Sequence, residues 1–219
     1  MSWETVYFNG FEDGQFIAPI PKKMPARHSV VWDESLPRPE MDIKQSPEPE
    51  VYEGKYSAVG FHVYTAFKWW CYTDPIPITP GKLTQASALL MVVAHGLGGD
   101  NSKPGACGMR VGLSRGDVTN PADTSIAWSE WWVVRDTLVN ERGWALKVTP
   151  EVTPQSTTVR LWVQCNADVA VTISAGHWDN ERVEQYLDGG TPPTPGAEVD
   201  YDRIRQIVRA ELDATRLTG

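Results

Sequence analysis

Cysteine and histidine are scarce in this chain, with three and four residues respectively out of 219. Cys71, Cys107 and Cys165 show no C-x-x-C spacing and cannot all pair within one chain, so neither a zinc site nor a disulfide framework is implied. Buried free thiols and a Cys71–Cys165 bridge both stay open. His28, His62, His95 and His177 lack the H-E-x-x-H or H-x-H spacing of a metal hydrolase. There is no G-x-S-x-G elbow, and the glycine-rich stretch His95–Asn101 lacks the lysine and following helix of a phosphate loop. Positive charge is also short: 20 Lys and Arg stand against 28 Asp and Glu, a net charge of −8. That balance argues against nucleic acid held by a general basic field and against docking on an anionic membrane. No apolar run is long enough to cross a bilayer, and Met1–Thr5 lacks the basic and apolar regions of a secretory leader. The expectation is a protein that is not an enzyme, working extracellularly or on a virion or appendage surface without a recognisable signal peptide.

Aromatic residues, in contrast, are plentiful: ten Trp, seven Tyr and five Phe. Large rings are either core filling or flat faces for a ligand. Most lie in short runs of β-branched and aromatic residues separated by turns: Tyr56–Tyr64, Trp69–Tyr72, Leu83–Ala94, Gly108–Leu113, Ser125–Val134, Gly143–Val148, Thr157–Cys165 and Val169–Trp178. Such spacing predicts an all-β antiparallel sandwich or barrel. Alternation is strict in two runs. Val159, Leu161, Val163 and Cys165 share one face against Arg160, Trp162 and Gln164, while Met109, Val111 and Leu113 oppose Arg110.

Prolines and glycines divide the chain. Residues 1–187 form the expected sandwich, in which the Pro-rich segment 19–50 reads as a surface connection anchored at Val30-Val31-Trp32. Residues 188–199 form a stiff Pro/Gly linker. Asp200 then caps an expected C-terminal α-helix over 200–219, with Tyr201, Ile204, Ile207, Val208 and Leu212 on one stripe. A helix this short needs its stripe covered, which points to docking on a partner protein or to a homo-oligomer.

Several pieces, in order, resemble the jelly-roll carbohydrate-binding modules of the galactose-binding-like β-sandwich family. Asn9-Gly10-Phe11-Glu12 is similar to the opening turn of that family, Gly54-Lys55-Tyr56-Ser57-Ala58 to its GKYSA strand, and Ile78-Thr79-Pro80-Gly81-Lys82 to its VTPGK turn. Met109–Leu113, Ile126–Ser129, Trp144–Val148 and the closing His177–Val183 follow in matching order, covering about residues 5–187. The resemblance implies a non-catalytic sugar-binding sandwich. It also implies a structural Ca²⁺ ion held by Glu12 and Asp179 with backbone carbonyls near the GKYSA strand at Lys55, a donor set compatible with six to eight oxygen ligands. Turn capping, or pairing of the two acids with Lys55 or Arg182, is the plainer alternative.

Neighbouring residues of a strand face opposite ways, so one of Trp69 and Trp70, and one of Trp131 and Trp132, should point outward. The expected platform for a sugar comprises Tyr64, Trp69, Trp70, Tyr72, Trp128, Trp131 and Trp132, with Arg110, Gln85, Arg160 or Gln164 binding hydroxyls. The same rings could instead fill the core or an interface. Two functions therefore compete: a glycan-recognising adhesin module, and an assembly protein such as a virion decoration, tail or surface-appendage subunit.

Overall fold

Along Phe67–Thr73 every odd-numbered residue is buried and every even-numbered one half-buried. This is the mark of a strand with one face on a core and the other turned outward. The computed structural model describes residues 3–11, 16–17, 24–45, 56–63, 66–95, 107–133, 144–167 and 173–186. Among them are strands and no helix: β1 (Trp3–Asn9), β2 (Phe16–Ile17), β3 (Met24–Pro25), β4 (His28–Trp32), β5 (Glu40–Gln45), β6 (Tyr56–Val63), β7 (Phe67–Thr73), β8 (Ile76–Pro77), β9 (Thr84–His95), β10 (Cys107–Arg115), β11 (Ala127–Trp128), β12 (Trp132–Val133), β13 (Ala145–Val148), β14 (Thr158–Ala167) and β15 (Ile173–Tyr186). The expected linker and the helix carrying Tyr201, Ile204, Ile207, Val208 and Leu212 lie outside the described residues.

The strands form two antiparallel sheets. The first runs β13-β9-β15-β6-β5 with β1 also on β15, and the second runs β11-β10-β14-β7-β4 with β12 on β10 and β8 on β14. β15 organises the first sheet. Its opening half pairs β6 from Ile173 to Trp178, its closing half pairs β1, and β9 follows it on the other edge. The first and last of these strands are therefore neighbours, as a closed sandwich requires.

Two sequence expectations need correction. The Pro-rich segment is not merely a connection, because it contributes β4 and β5, the edge strand of each sheet. Pro37 and Pro39 fall between these two strands, where a missing N–H costs no ladder bond. The run Ser125–Val134 is likewise not one strand. It breaks into β11 and β12, and the break matters to the site below.

The core lies between the sheets. From the second sheet come Phe67, Trp69 and Cys71, Met109, Val111 and Leu113, and Val159, Leu161, Val163 and Cys165, confirming both alternation patterns. Across from them stand Ala58, Ala86, Ala88, Leu90, Val92, Trp178 and Val183. The small residues make room for two indoles, Trp69 and Trp178, whose ring centres lie 5.3 Å apart. Trp69 also lies across Gly60, where an added Cβ would come within 2.7 Å of the ring. Cys71 and Cys165 are both buried and are not joined by a disulfide, and burial pushes the Cys71 thiol well up, with the Glu181 charge adding to the effect.

A buried ion pair joins the sheets at one end. His28 Nε2 lies 2.9 Å from Glu181 Oε2, and Nδ1 lies 2.8 Å from the Ala26 carbonyl. Trp178 Nε1, Tyr7 Oη and Asn9 Nδ2 also donate to the Glu181 carboxylate. Both ring nitrogens of His28 face acceptors, an arrangement that favours the imidazolium. Burial alone would lower its pKa, but the Glu181 charge and hydrogen bond outweigh that and raise it. Desolvation, then Glu181, holds the Tyr7 phenol protonated.

Candidate functional site

The outer face of the second sheet gathers aromatic and cationic side chains. β7 contributes Lys68, Trp70 and Tyr72, β14 contributes Arg160, Trp162 and Gln164, and β10 contributes Arg110 and Gly112. Register sets them in rows: Tyr72, Trp162, Gly112 and Trp128 lie side by side across four strands, and Trp70, Gln164 and Arg110 form the next row.

Two local features shape this face. Gly112 has no side chain, and the Trp128 indole lies on the bare backbone, where an added Cβ would meet its ring at 2.7 Å. The break between β11 and β12 is pinned by Ser129, whose N–H donates to the Val111 carbonyl and whose Oγ accepts from the Val111 N–H. In an unbroken strand, positions 128 and 131 would face opposite ways. The break lets both rings reach Arg110, whose guanidinium carbon is 4.3 Å from the Trp128 ring centre and 4.5 Å from that of Trp131.

The remaining rings are ordered around Trp162. It is fully buried although it points outward, because Val118 and Ile126 of the connection following β10 pack over it. Its Nε1 donates to Ser114 Oγ at 2.8 Å. Tyr72 packs on it at 4.6 Å and Trp128 meets it edge-on at 6.4 Å. Lys68 lies over Trp70 and Arg160 over Tyr72, at 5.2 and 5.0 Å from the ring centres. Each contact of this kind contributes about 0.5–2 kcal/mol depending on solvent access.

The residues expected from sequence divide clearly. Trp70, Tyr72, Trp128, Trp131, Arg110, Arg160 and Gln164 share this face. Trp69 does not: it is 0% exposed in the core, so its place in the platform is corrected by the parity of its strand. Trp132 packs partly buried against the core, which leaves Trp131 as the outward member of that pair. Gln85 belongs to the first sheet, where its Nε2 donates to Glu184 Oε2, and it cannot serve a ligand here. Arg160 is partly committed, because its Nε donates to the Gly116 carbonyl and its Nη1 to that of Thr73. Tyr64 lies outside the described residues. Sequence reasoning missed Lys68, although it shares parity with Trp70 and Tyr72, and it missed Gly112 and Ser129, whose roles depend on pairing across strands.

The turn Asn9-Gly10-Phe11 and the bulge around Asp179, Asn180 and Glu181 meet through the pairing of Asn9 with Glu181. Asp179 is buried and its Oδ1 accepts from the Asn180 N–H. Glu12 and Lys55 lie outside the described residues. Of the three residues expected to hold calcium, Asp179 alone falls among the described residues.

A cleft of about 140 Å³ lies elsewhere, lined by Leu113, Ser114, Arg115, Ser125, Val152 and Thr153. It is smaller than the roughly 300 Å³ at which small-molecule pockets begin. On the aromatic face Trp70, Tyr72, Trp128 and Trp131 are each half-buried.

No protein-family model matches the chain, and no curated protein matches its sequence. Among solved structures, the K1 cleaved adhesin domain of Lys-gingipain from Porphyromonas gingivalis W83 is similar over 86% of this chain and 100% of that one, at 10% identity and a TM-score of 0.52. The K2 cleaved adhesin domain of Lys-gingipain is similar over 83% of this chain and 98% of that one, at 11% identity and a TM-score of 0.50. A family 61 carbohydrate-binding module in complex with β-1,4-galactotriose is similar over 81% of this chain and 94% of that one, at 12% identity and a TM-score of 0.46. The likeness to the adhesin domains shows the fold, an all-β sandwich of two antiparallel sheets.

Proposed function

We propose that this chain is a non-catalytic carbohydrate-binding-type module, an adhesin or surface-recognition subunit, whose ligand lies on the outer face of the second sheet. The observation that supports this most is the set of half-buried rings Trp70, Tyr72, Trp128 and Trp131 on one outer face, interleaved with the Arg110 guanidinium, which buried Gln164 holds in place. Flat apolar faces beside fixed polar groups are what a sugar ring with its hydroxyls needs. The module would act extracellularly or on a virion or appendage surface. A role as an assembly subunit is the competing proposal; it rests on the stripe Tyr201, Ile204, Ile207, Val208 and Leu212.

The test is a glycan array followed by calorimetry on the best oligosaccharide. Trp70→Ala and Trp131→Ala should each weaken binding by about tenfold, the equivalent of roughly 1.4 kcal/mol, while the melting temperature stays near that of the parent. Gly112→Ala should weaken binding to a similar extent by lifting the Trp128 ring from the sheet. A full chain that binds no glycan, and that becomes monomeric on truncation to residues 1–187, would favour assembly.

We also propose the calcium ion at Asp179 and Glu12, with the Lys55 carbonyl as a third donor. A ligand at a hundredfold excess over its dissociation constant stabilises a fold by about 2.7 kcal/mol. Chelation should then lower the unfolding midpoint, and calcium rather than magnesium should restore it. An unchanged midpoint would remove the ion from the account.

A further inference from the structure

We propose that the aromatic face selects acidic sugars, and that Arg110 receives the carboxylate of a uronic or sialic acid residue. The inference rests on the carbohydrate reading above and narrows it to a ligand class. It starts from an imbalance of charge. The whole chain carries −8, yet the outward positions of β7, β14 and β10 hold Lys68, Arg160 and Arg110 and no acid.

Arg110 is the least compensated of the three cations. It is half-buried, and desolvation is the force that pulls its pKa below the ordinary arginine value. No carboxylate among the described residues forms an ion pair with it. Arginine nonetheless keeps its proton, so the face holds a partly dehydrated positive charge that, among the described residues, meets two indole rings and the Gln164 amide oxygen but no carboxylate. Burying a charge without a counter-ion is costly, which makes an anion at this point strongly favourable.

The geometry also fixes how that anion would approach. Trp128 and Trp131 flank the guanidinium at 4.3 and 4.5 Å, and Nε donates to Gln164 Oε1 at 2.7 Å. Gln164 is itself buried, so the fork is held in orientation before any ligand arrives. Nη1 and Nη2 then present the paired donors that match the two oxygens of a carboxylate. Trp70 lies in the same row, beside Gln164 and two strands from Arg110, with Lys68 over its ring. A neighbouring sugar could stack there while a second cation serves a second acidic group.

Matched oligosaccharides test this directly, each uronate- or sialate-containing glycan being offered to the intact protein as the free acid and as its methyl ester. The free acids should bind at least about tenfold more tightly, as a charge-assisted bidentate contact implies. The difference should shrink as sodium chloride is raised, and Arg110→Gln should abolish it, so that acid and ester bind alike. Esters and acids that bind equally would overturn the proposal and leave the carbohydrate reading standing. Failure of both forms, together with neutral glycans, would overturn both. The comparison of acid with ester uses the unmodified chain, so it decides the matter even where the Arg110 variant does not fold.

Discussion

Glu181→Gln should destabilise the fold by about 3–5 kcal/mol, the usual cost of removing one member of a buried ion pair. The substitution is nearly isosteric, so the loss arises from charge and not from a cavity. His28 keeps its place beside the Ala26 carbonyl but loses the carboxylate that sustains its proton. Trp178, Tyr7 and Asn9 lose an anionic acceptor at the same time. Denaturant unfolding at neutral pH measures the effect, and a loss below about 1 kcal/mol would mean that the pair only balances its own desolvation.

The same pair sets a pH dependence of definite sign. In the parent, the folded pKa of His28 lies above its unfolded value of 6.5. Its stabilising contribution is therefore complete below about pH 6.5 and is lost as pH rises through the folded value. In Glu181→Gln, burial acts on His28 against only the Ala26 carbonyl and the smaller effect of the Asp74 charge, and the folded pKa should fall below the unfolded one. The contribution of this residue should then grow between acid and neutral pH, so the two proteins should show opposite slopes there. Parallel slopes would show that His28 is not the group being titrated.

Trp69→Ala should cost about 3–5 kcal/mol, as expected for a buried indole replaced by a methyl group. Trp69 packs against Trp178 and lies over Gly60, and rigid backbone on the far side limits collapse into the space left behind. Trp131→Ala, on the open face, should cost far less. This contrast separates stability from recognition: the first substitution unfolds the protein at lower temperature, while the second leaves a folded protein that binds poorly. Thermal melts of the two variants side by side read it out, and equal losses would contradict the assignment of faces.

Much of this division was legible in the sequence because strand parity is a local property. The alternation in Val159–Cys165 and Met109–Leu113 placed core and outward residues correctly, and the doublets Trp69-Trp70 and Trp131-Trp132 each split as parity demands. What parity cannot reveal is register. Gly112 beneath Trp128, Gln85 on the wrong sheet and Glu181 beside His28 all depend on which strands meet, and the partners are separated in sequence by up to 153 residues. The break at Ser129 was hidden for a related reason, since an apolar run reads as one strand unless something interrupts its pairing. The prolines near β4 and β5 misled in the opposite direction, because edge strands tolerate flanking prolines that a central strand would not.

A ligand should sit on the outer face of the second sheet. The most direct measurement is a titration with an acidic oligosaccharide, followed through the assigned indole N–H signals of the ten tryptophans. Trp70, Trp128 and Trp131 should shift in proportion to occupancy while Trp69 and Trp178 stay fixed. Saturable binding that leaves those three signals unmoved would contradict the account.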